Sequence, residues 1–296
     1  MECPPAVFYW KPENGSNFGD ALNAWMWPRL CPELAELPDG SRFLGIGTVL
    51  TQRTPLGNPT LVFGSGAGLK PAPSVTDTWN IYCVRGPKTA NRLGLDAEFA
   101  VTDPAALLAK MDLPEVASKH AWGYMPHWLN AHDGWKRVCT RAGGEYLDPR
   151  EDVETVLQQL RSVRLVVAEA MHGAIVADAL RIPWIAVRAS ARSDEVKWED
   201  WASSLEIPLE HHQLPELPNR QSANLALRLW QQLIERRAVR ALEKLVTNAK
   251  PQLSDSNVLA DRLNRLEALL ENLKRDINQR RFGYAANTEE EPKACR

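Results

Sequence analysis

Residues 165–188 read LVVAEAMHGAIVADALRIPWIAVR, and this stretch decides the fold. A short apolar run ends in Glu169; Ala170, Met171, His172 and Gly173 follow, and residues 174–180 form an amphipathic helical pattern. Pro183 interrupts, and residues 184–187 are apolar again. Apolar run, turn, helix, proline and apolar run describe a βαβ crossover whose strands are buried on both faces. Ligands of such units sit beyond the carboxyl ends of the strands, near the helix N-terminus. His172 and Gly173 fall there, where an imidazole beside open N–H groups suits an anion. A His-Gly pair at that point also serves as a cap and a close-packing position, with no ligand at all.

Outward from this unit the pattern repeats on both sides. Before it come apolar runs at residues 6–10, 43–50, 60–68 and 79–85, with helices from Gly19 to about Leu30 and from Pro87 to Gly94. Residues 112–118 read as a linker. A second alternating half begins with runs at 122–126 and 144–149 and a helix opened by Asp152. Two such halves predict an α/β protein of two Rossmann-like domains facing a cleft. The boundaries are 1–115 and 116–215, then a helical tail at 216–285 and a disordered end at 286–296.

The tail has its own signature. Leu259, Leu263, Leu266, Leu270, Leu273 and Ile277 alternate spacings of four and three, a heptad seam of about three repeats. The seam predicts a coiled-coil contact in a homo-oligomer, with docking on the chain's own body as the alternative.

With 296 residues the chain can hold two domains, each with a core of its own. A formal net charge of −2 offers no domain-wide basic excess for nucleic acid. The five cysteines are dispersed, without C-x-x-C or metal spacing, which predicts reduced thiols in the cytoplasm. No leader precedes Cys3, and no apolar run approaches the ~20 residues that span a bilayer, which leaves transient contact with a membrane surface open. Tryptophan is abundant, 11 residues against 5 Tyr and 6 Phe, and indoles serve sugar stacking and cores alike.

Chemistry-bearing residues collect at strand ends. Arg85, His172, Arg188, Arg192 and Lys197 follow strands or lie near their ends, and a mainly cationic set predicts an anionic substrate. Asp20 at the start of the first helix is either a cap or a carboxylate able to accept a hydroxyl proton. Asn17, Trp128 and Trp198 are candidates for holding a sugar, with Trp25, Trp27 and Trp201 as further stacking surfaces. No metal-binding cluster stands out. G-S-G-A-G at 64–68 is only an incomplete dinucleotide fingerprint.

Six short motifs then occur in order: Asn17-Phe18-Gly19-Asp20 with Leu22-Asn23, Gly45-Ile46-Gly47, Phe63-Gly64-Ser65-Gly66, Val84-Arg85-Gly86-Pro87 with Thr89, Asp103-Pro104, and His172-Gly173-Ala174. Across residues 8–205 the chain resembles the polysaccharide pyruvyl transferase family, and within it the bacterial exopolysaccharide ketal-pyruvyltransferases. The resemblance implies a fold like that of the two-domain (GT-B-like) glycosyltransferases. It implies phosphoenolpyruvate as donor substrate, no separate cofactor, and pyruvyl transfer to a sugar of a lipid-linked oligosaccharide. It assigns Arg85 and His172 to the donor; Gly173, Arg188, Arg192 and Lys197 join them by position. The family's Arg-Leu-His triplet is altered, since Ala170 and Met171 precede His172, so another cation must meet the donor. The rival readings are a nucleotide-sugar glycosyltransferase of similar fold and a non-catalytic scaffold.

Overall fold

The computed structural model describes residues 2–13, 15–189, 195–219 and 224–282. Two parallel sheets organise it. The first has strands β1 (Val7–Phe8), β2 (Arg42–Leu44), β3 (Thr60–Phe63) and β4 (Trp79–Cys83), paired in that order. The second contains β5 (Gly123–Met125), β6 (Glu145–Tyr146), β7 (Val166–Ala168), β8 (Trp184–Arg188) and β9 (His211–Gln213), in the order β6-β5-β7-β8-β9. All pairings within both sheets are parallel. In the second sheet the winding reverses between β5 and β7, and a crevice opens outside the carboxyl ends at such a reversal.

The helices are α1 (Phe18–Leu30), α2 (Pro87–Leu93), α3 (Asp133–Arg141), α4 (Val153–Arg161), α5 (Met171–Ala179), α6 (Glu195–Ser204), α7 (Leu225–Asn248) and α8 (Ser256–Asn278). Their ends follow the local chemistry. Asp152 caps α4 by accepting from the Thr155 N–H, and Gly94 closes α2 in the left-handed conformation at φ 68°. These are the two Rossmann-like α/β domains and helical tail that the alternation predicts.

One expectation fails at α5. The pattern 174–180 reads as amphipathic, yet Met171 and every residue from Gly173 to Ala179 are buried. One side of α5 lies on its own sheet, and the other packs on the short 3₁₀ helix Pro104–Lys110 of the first half. A helix apolar all round is covered on all sides. One apolar cluster therefore runs from Phe43 and Leu61 through Ile175 to Trp184, and the halves share a core rather than holding separate ones. Asp178, the carboxylate inside this helix, is fully buried and accepts from Trp184 Nε1 at 3.0 Å and the Ser254 N–H at 2.8 Å.

The tail divides. α7 packs on α3, with Ala238, Leu242 and Leu245 against Trp135, Val138 and Cys139. The chain then pairs Gln252 with Trp184 at the start of β8, and α8 returns to the first half. All six residues of the heptad seam are buried there, and Tyr82 donates to Asp276 Oδ2 at 2.8 Å. This corrects the oligomer expectation: the seam already faces its own β4 and the 3₁₀ helices Pro32–Glu36 and Pro104–Lys110, so it has no apolar stripe left for a second copy. The period of a stripe specifies a partner surface, not whose it is. Residues 286–296, Cys295 and Arg192 lie outside the described residues. The cysteines at 3, 31, 83 and 139 are free thiols, and no described helix is long and apolar enough to cross a membrane.

Candidate active site

A cleft of about 550 Å³ opens where the first half meets the β5/β7 reversal. His127 and Trp128 reach it from the end of β5, and Ala170, Met171 and His172 from the end of β7. The start of α1 and the loops after β2 and β3 supply the opposite wall. A larger groove of about 710 Å³ lies between α3 and α7, on the far side of the segment that carries His127 and Trp128.

His172 stands in the first turn of α5. Its Nε2 is buried and faces Asp103 Oδ2 at 3.6 Å, an ion-pair distance too long for a hydrogen bond. The other Asp103 oxygen caps the 3₁₀ helix by accepting from the Ala105 N–H at 3.0 Å. With Nε2 facing Asp103, Nδ1 is the ring nitrogen left over, and it rests on Gly19. A Cβ at position 19 would lie 2.0 Å from Nδ1, so the glycine of the N-F-G-D motif is there for the imidazole.

Asp20 follows directly. Its Oδ2 accepts from Asn17 Nδ2 at 2.6 Å. Burial raises its pKa above the ordinary carboxylate range, against the opposing pull of His172, the Asn17 hydrogen bond and Lys197. Asn23, the last residue of the motif, is buried and grips the Gly45-Ile46-Gly47 loop, donating to the Ile46 carbonyl at 2.9 Å and accepting from the Ile46 N–H at 2.9 Å. That loop carries Thr48, which lines the cleft.

Arg85 lies behind Thr48. It is fully buried, Nε donates to Asp200 Oδ2 at 3.1 Å, and Nη1 donates to Thr48 Oγ1 at 2.8 Å. Its guanidinium lies flat on Gly66, where a Cβ would sit 2.2 Å from Cζ. Asp200 of α6 also accepts from the N–H and hydroxyl of Thr89, at 3.0 and 2.6 Å. The R-G-P-x-T motif thus fastens α2 to α6 around a buried ion pair, and Arg85 does not itself line the cleft. Nη2, buried without a protein partner, is its remaining donor.

Other predicted residues separate. Asn17, Trp128 and Lys197 line the cleft with His172 and Asp20. Arg188 does not: it pairs with Glu195 and lies 3.2 Å from His211, whose pKa is pushed down to about 4 by burial and this guanidinium. Gly173 serves packing rather than a ligand, because its N–H bonds the Ala170 carbonyl and a Cβ would lie 2.7 Å from Met125 Sδ. Trp198 is a correction as well. It is 1% exposed, enclosed by Trp184, Trp201 and His211, and offers no face to a sugar. Trp27 and Trp201 are also buried, and Trp25 is held by Glu154 and Arg29.

Three cleft residues escaped the sequence reading. Trp10, 45% exposed, meets Trp128 across the mouth at 5.2 Å between ring centroids. Arg53 and Lys70 add cations from loops whose composition carries no signal. Glu169, next to the cleft, is committed: it accepts from Tyr124, Asn130 and the N–H groups of His127 and Ala189, tying loop 127–130 to the end of β8.

Over 314 aligned residues the chain is 33% identical to the succinoglycan biosynthesis protein ExoV of Rhizobium meliloti (strain 1021), across 91% of this chain and 98% of that protein. The chain belongs to the polysaccharide pyruvyl transferase family. No protein-family model matches it. As a family member it is an enzyme, a pyruvyltransferase with phosphoenolpyruvate as donor substrate. A pyruvyltransferase must meet a donor carrying a carboxylate and a phosphate. In this one, Arg53, Lys70 and Lys197 surround the cleft, and among the described residues Asp20 is the one carboxylate that lines it.

Proposed function

We propose that the enzyme transfers the pyruvyl group of phosphoenolpyruvate to a sugar of a lipid-linked exopolysaccharide intermediate, as a cyclic ketal, at the cytoplasmic face of the membrane. The observation carrying this is His172, backed by Asp103, beside Asp20 in a cation-lined cleft at the β5/β7 reversal.

The chemistry follows from the donor. His172 Nδ1 gives a proton to the methylene carbon, which becomes a methyl group, and positive charge develops on the neighbouring carbon. A sugar hydroxyl attacks that carbon and forms the first C–O bond, its proton passing to Asp20. A second hydroxyl of the same sugar forms the second bond as the carbon–oxygen bond to phosphate breaks. Phosphate leaves with the electron pair, and the second hydroxyl proton goes to base. General acid catalysis of this kind contributes roughly 10²–10⁴-fold. Asp103 faces the imidazole at Nε2 and holds it in place. Lys197, Arg53 and Lys70 meet the donor's anions in place of the cation absent at Ala170, with Arg85 positioning Thr48 from behind. Trp10 and Trp128 bracket the mouth as the surface for the acceptor sugar. Residues 1–115 and 116–215 remain the working domain boundaries.

Isothermal titration separates this from a glycosyltransferase of similar fold. Phosphoenolpyruvate should bind and a nucleotide sugar should not; the reverse result would overturn the proposal.

A further inference from the structure

α7 has two unlike faces. Its inner face is buried on α3, and Glu235 turns inward to pair with Arg137 and Arg141. On the outer face Leu229, Trp230 and Leu233 are 59%, 51% and 51% exposed. Arg236, Arg237, Arg240 and Lys244 continue that face toward the C-terminal end, all exposed. At 3.6 residues per turn these seven side chains form one stripe, apolar first and then cationic. Besides the inward Glu235, the one carboxylate among the described residues of α7 is Glu243, at the edge of this stripe. An exposed Trp-Leu patch followed by unbalanced cations is the pattern of a helix lying in a lipid–water interface. The same cations, brought against themselves, oppose a second copy of the chain.

We propose that the outer face of α7 docks the protein on an anionic lipid bilayer, with Leu229, Trp230 and Leu233 in the interface and the arginines at headgroup phosphates. The position suits the cleft: the segment 127–134, which leads into α3, lines the cleft at His127 and Trp128 and the groove beneath α7 at residues 131–134. A membrane held by α7 is thus joined through one short loop to the mouth where a lipid-linked sugar would enter. The purpose of the contact rests on the acceptor reading above; the binding itself is measured without donor or acceptor.

The experiment is vesicle flotation of the full chain, with phosphatidylglycerol–phosphatidylcholine vesicles against phosphatidylcholine alone. The protein should float with the anionic vesicles, only weakly with neutral ones, and release at high salt. Trp230→Glu should abolish flotation. Replacing Arg236, Arg237 and Arg240 together by Gln should weaken it on the order of a hundredfold, about fivefold for each cation. All four positions are exposed, and unchanged phosphoenolpyruvate affinity in both variants checks the fold. No binding to anionic vesicles, equal binding to both kinds, or binding that survives in either variant would overturn the proposal. So would a dimer that Trp230→Glu dissociates without any vesicle binding, which would give this face to a second copy. Failure of phosphoenolpyruvate to bind the parent would strike the donor reading and leave the vesicle result standing.

Discussion

Replacing Gly19 by Ala tests the placement of His172 with the smallest possible change. The new Cβ would lie 2.0, 2.5 and 2.8 Å from Nδ1, Cγ and Cε1 of the imidazole. Ordinary contact begins near ~3.5 Å, so the ring must retreat by about 1.5 Å. Asp103 Oδ2, 3.6 Å from Nε2, blocks a straight retreat of that size, so the ring must swing out of its place. Misplacing a catalytic group by about 1 Å can cost roughly 10²-fold, so kcat should fall at least about a hundredfold. Folding should survive, because position 19 is helical and Ala is the better helix former by up to about 1 kcal/mol. Phosphate release measures kcat, and thermal melting checks the fold. A Gly19→Ala enzyme within about threefold of the parent rate would show that the imidazole does not work from its place on Gly19.

Other substitutions separate stability from chemistry. Asp200→Ala strips the buried Arg85 of its counter-charge and should cost about 3–5 kcal/mol in denaturant unfolding. Leu266→Ala, at a fully buried position of α8, should cost about 2–5 kcal/mol and leave sedimentation unchanged. Asp20→Asn should stabilise the protein at neutral pH while lowering kcat. Its carboxyl has a raised pKa in the fold, so the folded state takes up the proton first, and stability falls as pH rises from the ordinary carboxylate range through the raised value. The advantage of Asn should therefore shrink as pH drops toward that range, as unfolding measured across pH will show.

Much of the fold is written in local patterns, because parallel strands buried on both faces must read as short apolar runs between helices. Residues 165–188 therefore announce a βαβ unit and place His172 at its working end. The motifs were also legible as motifs, but not the work each residue does. Arg85 ends a strand, and strand-end position suggests a cleft. Only Asp200, 115 residues away, reveals that its charge is balanced inside the protein. Tryptophan is ambiguous for a related reason. Trp198 and Trp10 look alike in sequence, but one is walled in by Trp184 and Trp201 while the other stands at the cleft mouth. The heptad stripe of α8 was correct as a buried face, and its owner was settled by chain path rather than by period.

In the proposed reaction the donor's methylene carbon is protonated during transfer to a sugar. Running the reaction in deuterated water with phosphoenolpyruvate and an exopolysaccharide intermediate tests it most directly. One phosphate should be released per acid-labile ketal, with a single deuterium in each new methyl group and no product from His172→Gln. A product that keeps the unsaturated methylene, or normal turnover by His172→Gln, would contradict it.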